Sequence, residues 1–174
     1  VATGEFYGSA GRIQSASPTL TMQDTDNLSA FLHVNSNLIY FLRGAAVNST
    51  TWDSGPNGRH PMTMNMSSGD VSFSGDVIAY SDRRMKRDIE PIRDALLKVG
   101  MLQGVSFKKL DTQETRIGVI AQDVQAVLPE VVTEDSDGYL AVAYGNMVAL
   151  LIESVKELNA KVDALKAEIV SLKK

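Results

Sequence analysis

Ser81 and Lys86 put a hydroxyl nucleophile and an amine five residues apart, in the run Ser81-Asp82-Arg83-Arg84-Met85-Lys86. A serine with a lysine as its base is the minimum equipment for cutting a peptide bond without histidine, thiol or metal. The pair lies where the composition changes abruptly, which makes the chain's own backbone the expected substrate. For Lys86 to act as a base its ammonium must lose a proton near neutral pH. Desolvation and neighbouring positive charge both favour that, and Arg83, Arg84 and Arg87 supply the second. The plainer reading of Arg83 to Arg87 is a solvated basic run or a patch for an acidic partner.

The elements that must position these groups divide at the same place. Residues 1–80 hold 9 charged side chains against 24 Ser, Thr or Asn, whereas residues 81–174 hold 29 against 10. Two units are expected, 1–81 and 82–174, each small enough to favour oligomerisation. Cysteine is absent, so neither disulfides nor thiolate metal sites contribute. No apolar run approaches the roughly 18 residues of a membrane span, and no signal peptide is expected. The start at Val1 without Met reads as a fragment of a longer protein. A net charge of −4 argues against a general nucleic-acid binder. His33 and His60 stand apart from any other ligand-type cluster, so no cofactor or metal is assigned.

In the first unit apolar residues recur with period two, as in Met62, Met64 and Met66 or Val71, Phe73, Val77 and Ala79. Further strands are predicted over Thr19–Gln23 and Phe31–Leu42, the second broken by a turn at Asn35-Ser36-Asn37. Ser68-Gly69-Asp70-Val71 recurs six residues later as Ser74-Gly75-Asp76-Val77. That repeat suits either a strand winding around a fibre axis or an ordinary hairpin. Residues 48–61 read as an exposed loop, whose Trp52 either contacts a sugar or receptor or covers a local apolar patch.

The second unit reads as helices on a small sheet. Pro91 is placed at the first position of a helix carrying Ile92, Ala95, Leu96 and Val99 and stopping at Gly100. Strands follow over Val105–Leu110, Arg116–Ala121 and Tyr139–Val142, with a short helix over Asp123–Leu128 and a turn at Asp135–Gly138. In the last thirty residues Val148, Leu151, Val155, Leu158, Val162, Leu165, Ile169 and Leu172 alternate spacings of three and four. This is a heptad seam on a helix over 147–173, roughly 37 Å long at about 1.5 Å per residue. With no second heptad segment in the chain, its partner is another copy; the residue choice alone favours two strands.

Taken in order, Ser81 to Lys86, Gly118-Val119-Ile120-Ala121-Gln122-Asp123-Val124, Leu128-Pro129-Glu130-Val131-Val132, Asp137-Gly138, Tyr144 and the terminal helix resemble one family. It is the C-terminal intramolecular chaperone of phage endosialidases, tail fibres and tail spikes, and the resemblance covers residues 81–174. It implies an α+β homotrimer whose first unit is the distal, intertwined or triple-β-helical end of a fibre. It implies that the chaperone aligns three chains, then leaves by autoproteolysis between Ser81 and Asp82, with Ser81 and Lys86 as the catalytic pair. The partners implied are two further copies, with a host receptor or glycan for the fibre part; membrane insertion and nucleic acid are not implied. The fibre part would reside in the virion, and assembly would occur in the host cytoplasm. Attack by Ser81 on its own carbonyl needs a four-membered ring. The cut therefore calls for an activated water, help from Asp82, or a serine from another subunit. Backbone N–H groups near Pro91 are candidate oxyanion donors. Two rivals are a permanent adhesin that is never cut and an autoprocessing membrane-bound transcription factor. The fibre-like first unit and the lack of a span count against the second.

Overall fold

The computed structural model describes residues 12–55, 57–110 and 112–173, and the chain folds as two units, 1–82 and 83–174. The first is an antiparallel sheet of β1 (Thr19–Met22), β2 (Leu28–Asn35), β3 (Leu38–Val47), β4 (Trp52–Asp53), β5 (Met62–Asn65) and β6 (Val71–Phe73). Its order is β1-β2-β3-β5-β6, with β4 on the far end of β3. The predicted turn joins β2 to β3, with Ser36 and Asn37 both left-handed at φ 50° and 62°. Two such residues in succession match the twist of a tight hairpin, and asparagine tolerates that conformation.

Cross-strand register gives the two faces opposite characters. Leu20, Leu32, Phe41, Met62 and Phe73 form one row across five strands, with Val34, Ile39, Met64 and Val71 forming the next on the same face. Of these, Leu20, Phe41, Val71 and Phe73 are exposed by between 42% and 53%, so this apolar face is uncovered in the single chain. The other face carries the row Thr19, His33, Tyr40, Thr63 and Ser72 above buried Phe31 and Leu42. A Cβ on Gly44 would be crowded there, standing 3.1 Å from the Ser29 backbone nitrogen.

Two expectations change in this unit. Trp52 and Asp53 do not lie in a loop but pair with Gly44 and Arg43 of β3. Trp52 packs on Phe31 and His33 with ring centroids 5.5 and 5.0 Å apart, and the Arg43–Asp53 ion pair anchors the strand. The first Ser-Gly-Asp-Val copy turns the β5–β6 hairpin, with Gly69 at φ 72°, whereas the second lies beyond β6 in irregular backbone. Strand structure ends at Phe73, and Val77, Ile78 and Tyr80 are 76%, 88% and 95% exposed on unpaired backbone.

The second unit holds α1 (Ala95–Met101), the hairpin of β7 (Val105–Lys108) and β8 (Thr115–Gly118), α2 (Ala121–Val127), the hairpin of β9 (Val132–Glu134) and β10 (Leu140–Val142), and α3 (Met147–Leu172). Its core is Ala95, Val124, Leu128, Val131 and Leu150. The Asp135–Gly138 turn closes as predicted. The Asp135 carboxylate accepts N–H bonds from Asp137 and Tyr139, and Gly138 adopts φ 84°. No helix among the described residues is long and apolar enough to cross a membrane.

α3 has two working faces. Leu150 and Ser154 are buried and Glu157 turns the same way, all toward α1 and the core. Leu151, Val155, Leu158, Val162, Leu165 and Ile169 stand about a quarter-turn away, at roughly 100° per residue, and are exposed by 39% to 64%.

Candidate functional site

Ser81 and Asp82 end the first unit, and Arg83, Arg84, Lys86 and Arg87 open the second. Arg83–Met85 form one 3-10 turn, closed by the Lys86 N–H donating to the Arg83 carbonyl at 3.1 Å. Every residue from Ser81 to Pro91 is exposed. Ion pairs flanking the run include Arg87–Asp88 at 3.7 Å and Arg93–Glu90 at 3.8 Å, both with largely exposed side chains. Pairs of this kind contribute little stability. The chain thus presents the whole Ser81–Lys86 run on its surface, beside the bare Val77 to Tyr80 segment.

The expected helix start is a correction. The helix does not begin at Pro91: a turn over 93–94 intervenes, with Asp94 left-handed at φ 55°, and α1 starts at Ala95. Asp94 makes no side-chain cap, and the free N–H groups of Ala95 and Leu96 donate to Glu157 on α3 at 2.8 and 2.9 Å. These bonds hold the Glu157 carboxyl below its ordinary range, the Leu96 bond first and the Ala95 bond second, with Lys161 adding a smaller pull. The Ala95 and Leu96 amides are thus taken up by the Glu157 carboxylate. Sequence reasoning missed Glu157 because its partners lie some sixty positions upstream.

The other motif residues position the unit. A Cβ on Gly118 would stand 2.6 Å from the Tyr144 hydroxyl oxygen, which accepts the Val119 N–H at 3.3 Å. Gly118 and Tyr144 are thus one close contact joining β8 to the turn before α3. Val124, Leu128 and Val131 are three of the five core residues. Among the described residues no three His, Asp or Glu side chains gather as a metal-ion site.

Two comparisons bear on this arrangement. Residues 81–133 match the family described as chaperone of endosialidase, whose model carries a peptidase name, so the resemblance seen in the motifs is shown over that segment. The match begins at Ser81 and includes the run to Lys86, Gly118, Val124, Leu128 and Val131. It stops short of the terminal helix, where a heptad constrains residue class rather than identity. The chain is also 41% identical over 104 residues to the long tail fiber protein Gp37 of Enterobacteria phages K3 and T2. A further relative is Gp37 of Enterobacteria phage Ox2, 32% identical over 110 residues. These matches cover 55% to 58% of this chain. They span 8% of the K3 and T2 proteins and 43% of the Ox2 protein.

Proposed function

We propose that the second unit is a trimerising chaperone for the end of a phage tail fibre, and that it releases itself by one cut between Ser81 and Asp82. The observation that carries this reading is the division of α3. One face is held by its own chain, while a self-complementary apolar seam stays exposed along the rest of the helix. A heptad seam is matched by copies of itself. The exposed apolar residues on one face of the first unit suit the same partners, since contiguous exposed apolar patches mark association surfaces. Three copies are preferred over the two that the heptad favours, because the resemblance to phage fibre chaperones implies a trimer.

The physical need is clear. Pairing between chains loses the entropy of bringing them together before contacts reward it, and a one-residue slip turns every buried side chain outward. A compact unit that associates first raises local concentration and fixes register. Cutting afterwards makes assembly irreversible.

Assembly also completes the site. In one chain Ser81 and Lys86 are exposed, and so are Val77, Ile78 and Tyr80, which precede them in the sequence. Covering that apolar segment with neighbouring chains removes water from Lys86 and crowds it with arginines, the two conditions that favour a neutral amine. Cleavage is then coupled to correct assembly. The Ser81 hydroxyl reaches a neighbour's carbonyl without the strained ring that attack on its own would demand.

Co-expression of Ser81→Ala and Lys86→Ala chains tests this. If catalytic groups are shared between subunits, mixed trimers yield cut chains although each variant alone stays whole. Absence of cutting in mixed trimers, beside efficient cutting of wild type, would refute sharing.

A further inference from the structure

We infer that the first unit carries a binding cleft for a neutral carbohydrate ring between Trp52, Tyr40 and His60. The cleft has a volume of about 410 Å³, with Leu42 at its floor, His33, Tyr40, Trp52 and His60 as walls, and Ser17 and Asn35 at the rim. A second depression of about 610 Å³ shares Tyr40 and His60 and continues past Thr63 and Ser72. Together they form a groove of the size small ligands use.

Its walls are aromatic and held in place. Trp52 packs against His33 in a tilted arrangement at 5.0 Å, and Tyr40 stands 5.7 Å from His33 and 5.1 Å from His60. His33 is locked by Thr19 Oγ1 at 2.7 Å on Nδ1 and Ser17 Oγ at 3.3 Å on Nε2. Trp52 keeps 41% of its surface exposed although its ring is fixed on Phe31 and His33. Rigid amphipathic rings of this kind offer an apolar face at low entropic cost.

Three observations select the ligand class. The rim groups are hydroxyls and an amide, which match a polyol better than an apolar side chain. The nearby Arg43 and Asp53 neutralise each other at 3.0 Å, and Arg59 of the second depression is the formal charge among the lining residues. The His60 Nδ1 is buried without a hydrogen-bond partner among the described residues. Such an atom is an uncommon, destabilising feature. A pyranose has what this surface lacks: a flat C–H face for the rings and hydroxyls for Asn35, Ser17 and His60.

The inference concerns the first unit alone and stands whether or not the chain is cut. Trp52 is the only tryptophan in the protein, so its emission reports on the cleft directly. The full chain is titrated with glucose, galactose, N-acetylglucosamine and maltotriose, following emission and saturation-transfer NMR of the sugar. At least one probe should shift Trp52 emission saturably. Tyr40→Ala should weaken that response about tenfold, the loss of one aromatic contact, and Tyr40→Phe should largely retain it. Asn35→Ala, at the exposed rim, provides a variant that leaves the packed rings intact and should also weaken binding. No saturable response to any of the four sugars overturns the inference. So does equal binding by Tyr40→Ala and Asn35→Ala, or saturation only by sialyllactose, inorganic phosphate or an aromatic peptide.

Discussion

Leu158→Glu separates the two faces of α3, and its effect can be worked from exposure. Leu151, Val155, Leu158, Val162, Leu165 and Ile169 retain 39% to 64% of their surface. Full burial of such a side chain stabilises by about 1.5–3 kcal/mol, so covering the exposed half contributes about 1 kcal/mol each. A substitution in a trimer acts three times, removing about 3 kcal/mol. Placing three carboxylates in the seam costs at least as much again. The sum, about 6 kcal/mol, lowers the association constant about 10⁴-fold. The contrasting change is Leu150→Ala, at a site only 1% exposed. It should cost the unit itself about 3 kcal/mol and lower its melting temperature by roughly 15 °C. Both are made in a Ser81→Ala chain to keep it whole, and followed by sedimentation velocity and circular dichroism at micromolar concentration. Leu158→Glu should run as a monomer with near-native helix content. A Leu158→Glu trimer, or a Leu158→Glu chain that melts like Leu150→Ala, would refute the division of the helix into an inner and an outer face.

Two further outcomes follow from contacts in the second unit. The Glu157 carboxyl is held below its ordinary value of 4.5, so the stability it contributes is present above that value and is lost as pH falls through the lowered one. Acid melting curves of the wild type should show this loss, and those of Glu157→Gln should be flatter over the same window, with a lower melting temperature at neutral pH. Gly118→Ala drives a methyl to within 2.6 Å of the Tyr144 hydroxyl and should cost about 1–3 kcal/mol. Tyr144→Phe in that background should recover part of it, and a double-mutant cycle by chemical denaturation measures the coupling.

Period and turn chemistry were legible wherever the cause is local. The heptad over Val148–Leu172, the Ser36-Asn37 turn, the alternation through Met62, Met64, Val71 and Phe73, and the Gly138 turn each depend on neighbours within a few residues. What stayed hidden depends on distant ones. Trp52 becomes a strand because Gly44 and Arg43 offer it an edge, although Thr51 and Ser54 beside it read as loop. α1 begins at Ala95 rather than near Pro91 because Asp94 turns left-handed and Glu157 caps the helix from sixty positions away. The motif residues divide similarly. Gly118, Val124, Leu128 and Val131 are explained by packing, whereas the roles proposed for Ser81 and Lys86 rest on the family resemblance.

Intact mass under denaturing conditions tests the central claim most directly, using freshly expressed wild type beside Ser81→Ala and Lys86→Ala. The account predicts two wild-type fragments meeting between Ser81 and Asp82, and whole chains in both variants. Whole wild-type protein under conditions where the trimer forms would contradict self-release and leave a fibre end whose chaperone stays attached.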